Sequence, residues 1–148
     1  MAEMPAKLKR TRDMLAKLDR GQRINTLIDL GEKFQEVPPE VASRPFPEER
    51  RVPGCESQAY VWSRPAEGGS LKFYFAVENP QGVSAKATAA ILDRSLSGAP
   101  LEEIVAVPGD IVFELFGGEL SIAKNHGLTN MLIMCKREAQ NALNAQIS

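Results

Sequence analysis

The feature that most constrains the fold is a pair of short strand-like segments, Gln58 to Arg64 and Ser70 to Val77, separated by Pro65-Ala66-Glu67-Gly68-Gly69. In the second segment Leu71, Phe73 and Phe75 alternate with Lys72, Tyr74 and Ala76, the period of two that sends one face of a strand into a core. A link this short that carries glycine joins antiparallel neighbours, because a parallel pair needs a crossover of a dozen residues or more. Around this hairpin the apolar residues change to helical spacing. Leu8, Thr11, Leu15 and Leu18 share one face from about residue 5 to 18, with Pro5 suited to the first turn. Asp19 and Gln22 have the form of a capping box, and Ile24, Leu27, Ile28, Gly31 and Phe34 carry a second stripe to about residue 36, before Pro38-Pro39.

Downstream, Val83, Ala87, Ala90 and Ile91 line a small-residue helix that closes before Gly98, and its alanines permit close packing. Pro100 to Val105 reads as a short helix. Asp110 is placed to cap another through Phe116, ending at Gly117-Gly118. Leu128, Leu132, Cys135, Ala139 and Ala142 share a face of a long terminal helix starting near Asn125 to Gly127. Helices before and after one uninterrupted hairpin, without repeated strand–helix–strand units, predict an α+β fold with a small antiparallel sheet packed with helices. Residues 1–148 fit one domain, long enough to bury about 70% of the surface of the unfolded chain. Val37 to Pro53, with five prolines and six charged residues, is expected to be an irregular, exposed connection.

Charge is nearly balanced, 18 Lys and Arg against 19 Asp and Glu, which argues against nucleic acid as a partner. The basic residues near the start, from Lys7 to Arg23, are interrupted by Asp13 and Asp19 and read as a solvated helix face. The apolar runs are too short to span a bilayer and the start lacks the apolar stretch of a signal peptide, so a cytoplasmic protein without membrane contact is expected. In that compartment two cysteines separated by 79 residues read as one reactive thiol and one buried thiol, not a disulfide.

Chemistry concentrates in Arg51-Val52-Pro53-Gly54-Cys55-Glu56-Ser57-Gln58, which runs into the first strand. Pro53 fixes its own φ and pushes Val52 toward extended backbone, while Gly54 accepts angles other residues resist, so Cys55 emerges at a bent corner. From the residues alone, Cys55 is read equally as a reactive thiol or as a small hydrophobe where a strand begins. Arg50 and Arg51 favour a thiolate there and Glu56 opposes them. Cys135, between Leu132 and Ala139 on an apolar face, belongs to the core. His126 is the single histidine, so no zinc or iron site can be assembled from Cys/His clusters, and no spacing brings it to Cys55 as a hydrolytic pair. Gly68-Gly69 and Gly117-Gly118 are turn glycines, since no phosphate-loop lysine follows either.

The stretch Val52-Pro53-Gly54-Cys55-Glu56-Ser57-Gln58, followed by aromatic and β-branched residues, resembles the signature of the SufE family, sulfur acceptors for cysteine desulfurases in iron–sulfur cluster assembly. The likeness covers most of the chain, with weaker matches at Pro100-Leu101-Glu102-Glu103-Ile104 and from Leu120 to Leu128. It implies a SufE/IscU-like fold and a persulfide on Cys55, received from a SufS-type cysteine desulfurase whose turnover it stimulates and passed to a SufB-containing scaffold. It also implies loop and partner-contact roles for Arg51, Pro53, Gly54, Glu56, Ser57, Gln58 and Lys124. Pyridoxal phosphate is expected on the desulfurase, with no cofactor or metal on this chain. Two positions depart from the family's pattern: Glu78-Asn79-Pro80-Gln81-Gly82 stands where many members carry an aspartate, and Lys124 where an arginine is common. Lys124 keeps the charge and loses the planar fork. The alternatives are an IscU-like iron–sulfur scaffold and a non-catalytic adaptor that binds the desulfurase; a homodimer, and whether the chain counts as an enzyme, stay open. For a carrier, the Cys55 loop is expected to be shielded in isolation and open in complex.

Overall fold

The computed structural model describes residues 2–147. Two helices lead, α1 (Ala6–Ala16) and α2 (Arg20–Glu32), and the hairpin follows as β1 (Ala59–Pro65) and β2 (Leu71–Val77). Then come α3 (Val83–Leu96), α4 (Leu101–Val105), α5 (Ile111–Phe116) and the long α6 (Ile122–Ile147). The strands pair antiparallel with Val61 opposite Phe75 and Trp62 opposite Tyr74, so the fold is α+β, a small antiparallel sheet packed with helices.

The capping box forms as the sequence indicates: Asp19 Oδ1 accepts from the Gln22 amide at 2.8 Å and Gln22 Oε1 from the Asp19 amide at 3.2 Å. That satisfies two amide donors which the first turn of α2 cannot use internally, worth about 1 kcal/mol. The two leading helices pack mainly on other elements, α2 along α3 and α1 against α3 and α5. Close approach of α2 to α3 depends on Gly31, where a Cβ would stand 3.3 Å from the Val83 carbonyl and 3.4 Å from the Ala87 amide. Arg12 and Arg20 of the basic face reach Glu114 and Glu119 at the other end of the chain.

One face of the hairpin, with Val61, Phe73 and Phe75, enters the main core beside Leu8, Leu92, Ile104, Leu115 and Leu132. Burying each such side chain contributes about 1.5–3 kcal/mol before entropy is counted. The other face carries Tyr60, Trp62 and Ala76, which are also buried. Their cover is the segment expected to be an exposed connection. Val37 and Phe46 lie on that face, with the Phe46 ring 5.1 Å from Tyr60 and 5.0 Å from Trp62. The Val37 amide donates to the Phe75 carbonyl at 2.8 Å, and Arg44 sits over the Phe46 ring while pairing with Glu78 at 2.9 Å and Glu36 at 3.3 Å. Two strands cannot hide an aromatic face from water by themselves, and a proline-rich strap can lie flat on rings without needing a hydrogen-bond ladder.

Helix ends differ in detail. The second helix stops at Glu32, ahead of the prolines. Val83 is exposed, whereas Ala85, Thr88, Ala89 and Leu92 join the buried side of α3, which is covered from several directions. Asp110 occupies the N-cap position of α5 without a side-chain cap bond. The last helix begins at Ile122 because Ser121 caps it, its hydroxyl accepting from the Lys124 amide at 3.1 Å, so Gly127 lies inside the helix. No helix among the described residues is long and apolar enough to cross a membrane.

Candidate functional site

Pro53 and Gly54 build a turn of type II form, with the Cys55 amide directed at the Val52 carbonyl at 3.5 Å and Gly54 at φ +72°. A second turn begins at once, the Gln58 amide donating to the Cys55 carbonyl at 3.1 Å. Gln58 closes it at φ +52°, a left-handed conformation uncommon outside glycine. The Val52 amide then donates to the Ala59 carbonyl at 2.8 Å, tying the ends of the loop together as β1 starts. Cys55 thus stands where two turns meet.

The loop rests on three elements. From the end of β2, the Glu78 and Asn79 amides donate to the Gln58 and Ser57 carbonyls, both at 3.2 Å. At the start of α3, Gly82 lies so near Ser57 that a Cβ there would be 2.8 Å from the Ser57 hydroxyl oxygen. From α6, Gly127 makes the closest approach: a Cβ on it would be 2.7 Å from the Gly54 carbonyl oxygen and 3.0 Å from the Cys55 Cα. One turn further along α6, Asn130 Nδ2 donates to the Pro53 carbonyl at 2.8 Å.

Cys55 is only 7% exposed and belongs to the margin of the main core. It borders a cleft of about 390 Å³ between α2, α3 and α6, walled by Leu27, Ile28, Val83 and Leu128, with Lys124 also on its lining. Ile122, next to this mouth in the chain, is 92% exposed. A second hollow, on the side of Glu48 and Arg51, also reaches Cys55 and Glu56.

The residues singled out in the sequence therefore fall into two groups. Pro53, Gly54, Glu56, Ser57 and Gln58 make up the loop itself, and Glu56, Ser57 and Lys124 line the cleft. The arginines differ: Arg51 pairs with Glu48 at 3.8 Å on the second hollow, whereas Arg50 is held away by Glu138 of α6 at 3.0 Å. Asn79 and Gln81 line the same cleft. Sequence reasoning missed Gly127, Asn130 and His126 as neighbours of the loop; the His126 ring carbon Cδ2 lies 3.6 Å from where a Cβ on Gly54 would be. A glycine inside a helical pattern was the available signal, since it marks a close backbone approach. Among the described residues no group of three or more His, Cys, Asp or Glu is placed to hold a metal ion.

Cys135 is fully buried and free. Burial, helped by Glu138 and Asp93, pushes its thiol far above the usual range. The folded protein therefore keeps this proton where the unfolded chain has begun to lose it, and stability declines as pH rises past about 8.5–9, the range in which an unfolded thiol ionises. Cys135→Ala should remove this part of the alkaline decline while lowering stability at neutral pH by about 1 kcal/mol through the small void it leaves. Urea unfolding of both proteins between pH 7 and 10 checks this; parallel declines would show that Cys135 has no part in it.

Fold and site define an α+β protein that holds one cysteine on a double turn at the edge of a cleft with apolar walls and a polar rim. The family model described as SufE, Fe-S metabolism associated domain, matches residues 9–139, and the chain belongs to that family. Membership supports a role in iron–sulfur metabolism. The chain is 34% identical over 92 residues to SufE-like protein 1, chloroplastic/mitochondrial, of Arabidopsis thaliana, a match covering 62% of this chain and 24% of that protein. The chain thus spans about a quarter of that relative's length. It is also similar to the solution structure of a hypothetical protein from Thermus thermophilus, at 27% identity and a TM-score of 0.74, covering 95% of this chain and 98% of the other.

Proposed function

We propose that the protein is a sulfur carrier: Cys55 takes sulfane sulfur from the persulfide of a SufS-type cysteine desulfurase and delivers it to a SufB-containing scaffold. The observation that carries this reading is the contrast between its two thiols. Cys135 is sealed in the core, whereas Cys55 is held by turns at the edge of a cleft, 7% exposed. Cys55 gives its proton to solvent, and the thiolate attacks the outer sulfur of the partner's persulfide. A new S–S bond forms on Cys55, the partner's S–S bond breaks, and the electron pair leaves on the desulfurase thiolate. Oxidation state is conserved, so the exchange needs no oxidant or metal on this chain. Pyridoxal phosphate belongs to the desulfurase.

In-line attack needs a thiol more open than the one seen, so the loop swings outward on the partner and returns the persulfide to the cleft, away from reductants and other thiols. The joint at Gly54 and the two short turns make the chain from the Pro53 carbonyl to Gln58 the segment that moves. Incubation with a cysteine desulfurase and cysteine, followed by intact and peptide masses, tests the reading. Added sulfur is expected on Cys55 and not on Cys135. Sulfur on Cys135, or none on either, overturns it. An iron–sulfur scaffold would need several ligands converging on one point, and His126 beside the loop offers at most one more donor.

A further inference from the structure

The loop is fastened at its front by a residue that belongs neither to the loop nor to the hairpin. Asn130, half-buried on α6, donates from Nδ2 to the Pro53 carbonyl at 2.8 Å. Pro53 has no amide hydrogen and a fixed φ, and the residue after it is Gly54 at φ +72°. The bond thus grips the last stiff residue before the flexible one. Asn130 shares its face of α6 with Gly127, which is in backbone contact with Gly54 and Cys55. α6 is a 26-residue helix whose Leu128, Met131 and Leu132 are buried, so it does not follow the loop when the loop moves.

We infer that Asn130 is a positioning residue for sulfur transfer: by clamping Pro53 it biases the loop toward the seated state and sets how often Cys55 is presented to a partner. This rests on the carrier reading above. A partner that engages only the open loop binds the protein with its affinity reduced by the open fraction. Loosening the clamp raises that fraction and lowers the amount of carrier needed to saturate the desulfurase, without changing the chemistry of the exchange.

Two variants test it, Asn130→Ala and Asn130→Asp. The aspartate keeps the shape but has no hydrogen to give to a carbonyl; alanine favours the helix, so folding is retained. In the protein alone, Cys55 alkylation is expected to rise about 3- to 10-fold in both variants, the range set by one ordinary hydrogen bond. Cys135, read from the same digest, should not change. With a cysteine desulfurase, the half-saturating concentration of carrier should fall by the same factor at equal maximal turnover. The clamp is overturned if Cys55 alkylation matches the wild type in both variants, or if Cys135 accelerates with it, since the helix itself would then have loosened. It is overturned as a positioning device if alkylation rises while half-saturation stays put. If the wild-type protein gains no sulfur on Cys55, the carrier reading fails, and the alkylation arm still decides whether Asn130 holds the loop.

Discussion

Cys55→Ala is expected to abolish sulfur uptake and to return desulfurase turnover to the rate of the desulfurase alone. The reason is chemical rather than structural. Without a second thiolate the partner's persulfide has no acceptor and blocks the next cycle, and no other cysteine substitutes, because Cys135 is sealed in the core with its thiol held neutral by burial. The fold should tolerate the change: Cys55 is held through its backbone, by turns that alanine also forms. Cys55→Ser, which keeps the size, should behave the same way in turnover while still competing with the wild-type carrier for the desulfurase. Full stimulation by either variant would mean that the protein acts by binding alone and receives no sulfur. Steady-state turnover with competition by the serine variant separates these outcomes.

Gly127→Ala should have the next largest effect, for a purely steric reason. The added methyl would sit 2.7 Å from the Gly54 carbonyl oxygen and 3.0 Å from the Cys55 Cα, backbone atoms that cannot rotate away. One side has to yield. The helix gains up to about 1 kcal/mol from losing a glycine, and it is anchored by Leu128, Met131 and Leu132, buried in the turns that follow position 127. The loop, held by a few hydrogen bonds, is the softer body. Forcing a methyl into a filled contact costs about 1–3 kcal/mol, and placing that cost on the seated loop corresponds to about 5- to 160-fold in its opening equilibrium. The expected result is Cys55 alkylation at least about 5-fold faster, and faster hydrogen exchange across residues 54–58, while exchange in β2 and α3 holds. Wild-type rates at both probes would show that the contact relaxes without moving the loop.

What the sequence alone determined about this protein is what depends on neighbours in the chain. Alternation from Leu71 to Val77 and a short glycine-bearing link leave little but an antiparallel hairpin. Asp19 and Gln22 lie three residues apart and close their own capping box. Pro53-Gly54 carries its turn within four residues, so the bend at Cys55 was legible, as was the burial of Cys135 from the spacing of its helix. The exceptions lie where local signals competed. Gly127 looked like a helix start because glycine is a poor interior residue; the structure spends that weakness on a backbone contact with a loop over 70 residues away. The proline-rich strap is irregular and mostly exposed, as its prolines indicate; what they do not indicate is that Val37 and Phe46 would cover the aromatic face of the hairpin. The tertiary structure decided the rest of the site: the cleft walls from α2, α3 and α6, the grip of Asn130 on Pro53, and the commitment of Arg50 to Glu138 instead of the thiol. Periodicity tells which face of an element is buried, but not which distant element will cover it. That choice is made by shape and volume when the helices close on the hairpin, and only there do a cysteine and the residues that restrain it meet.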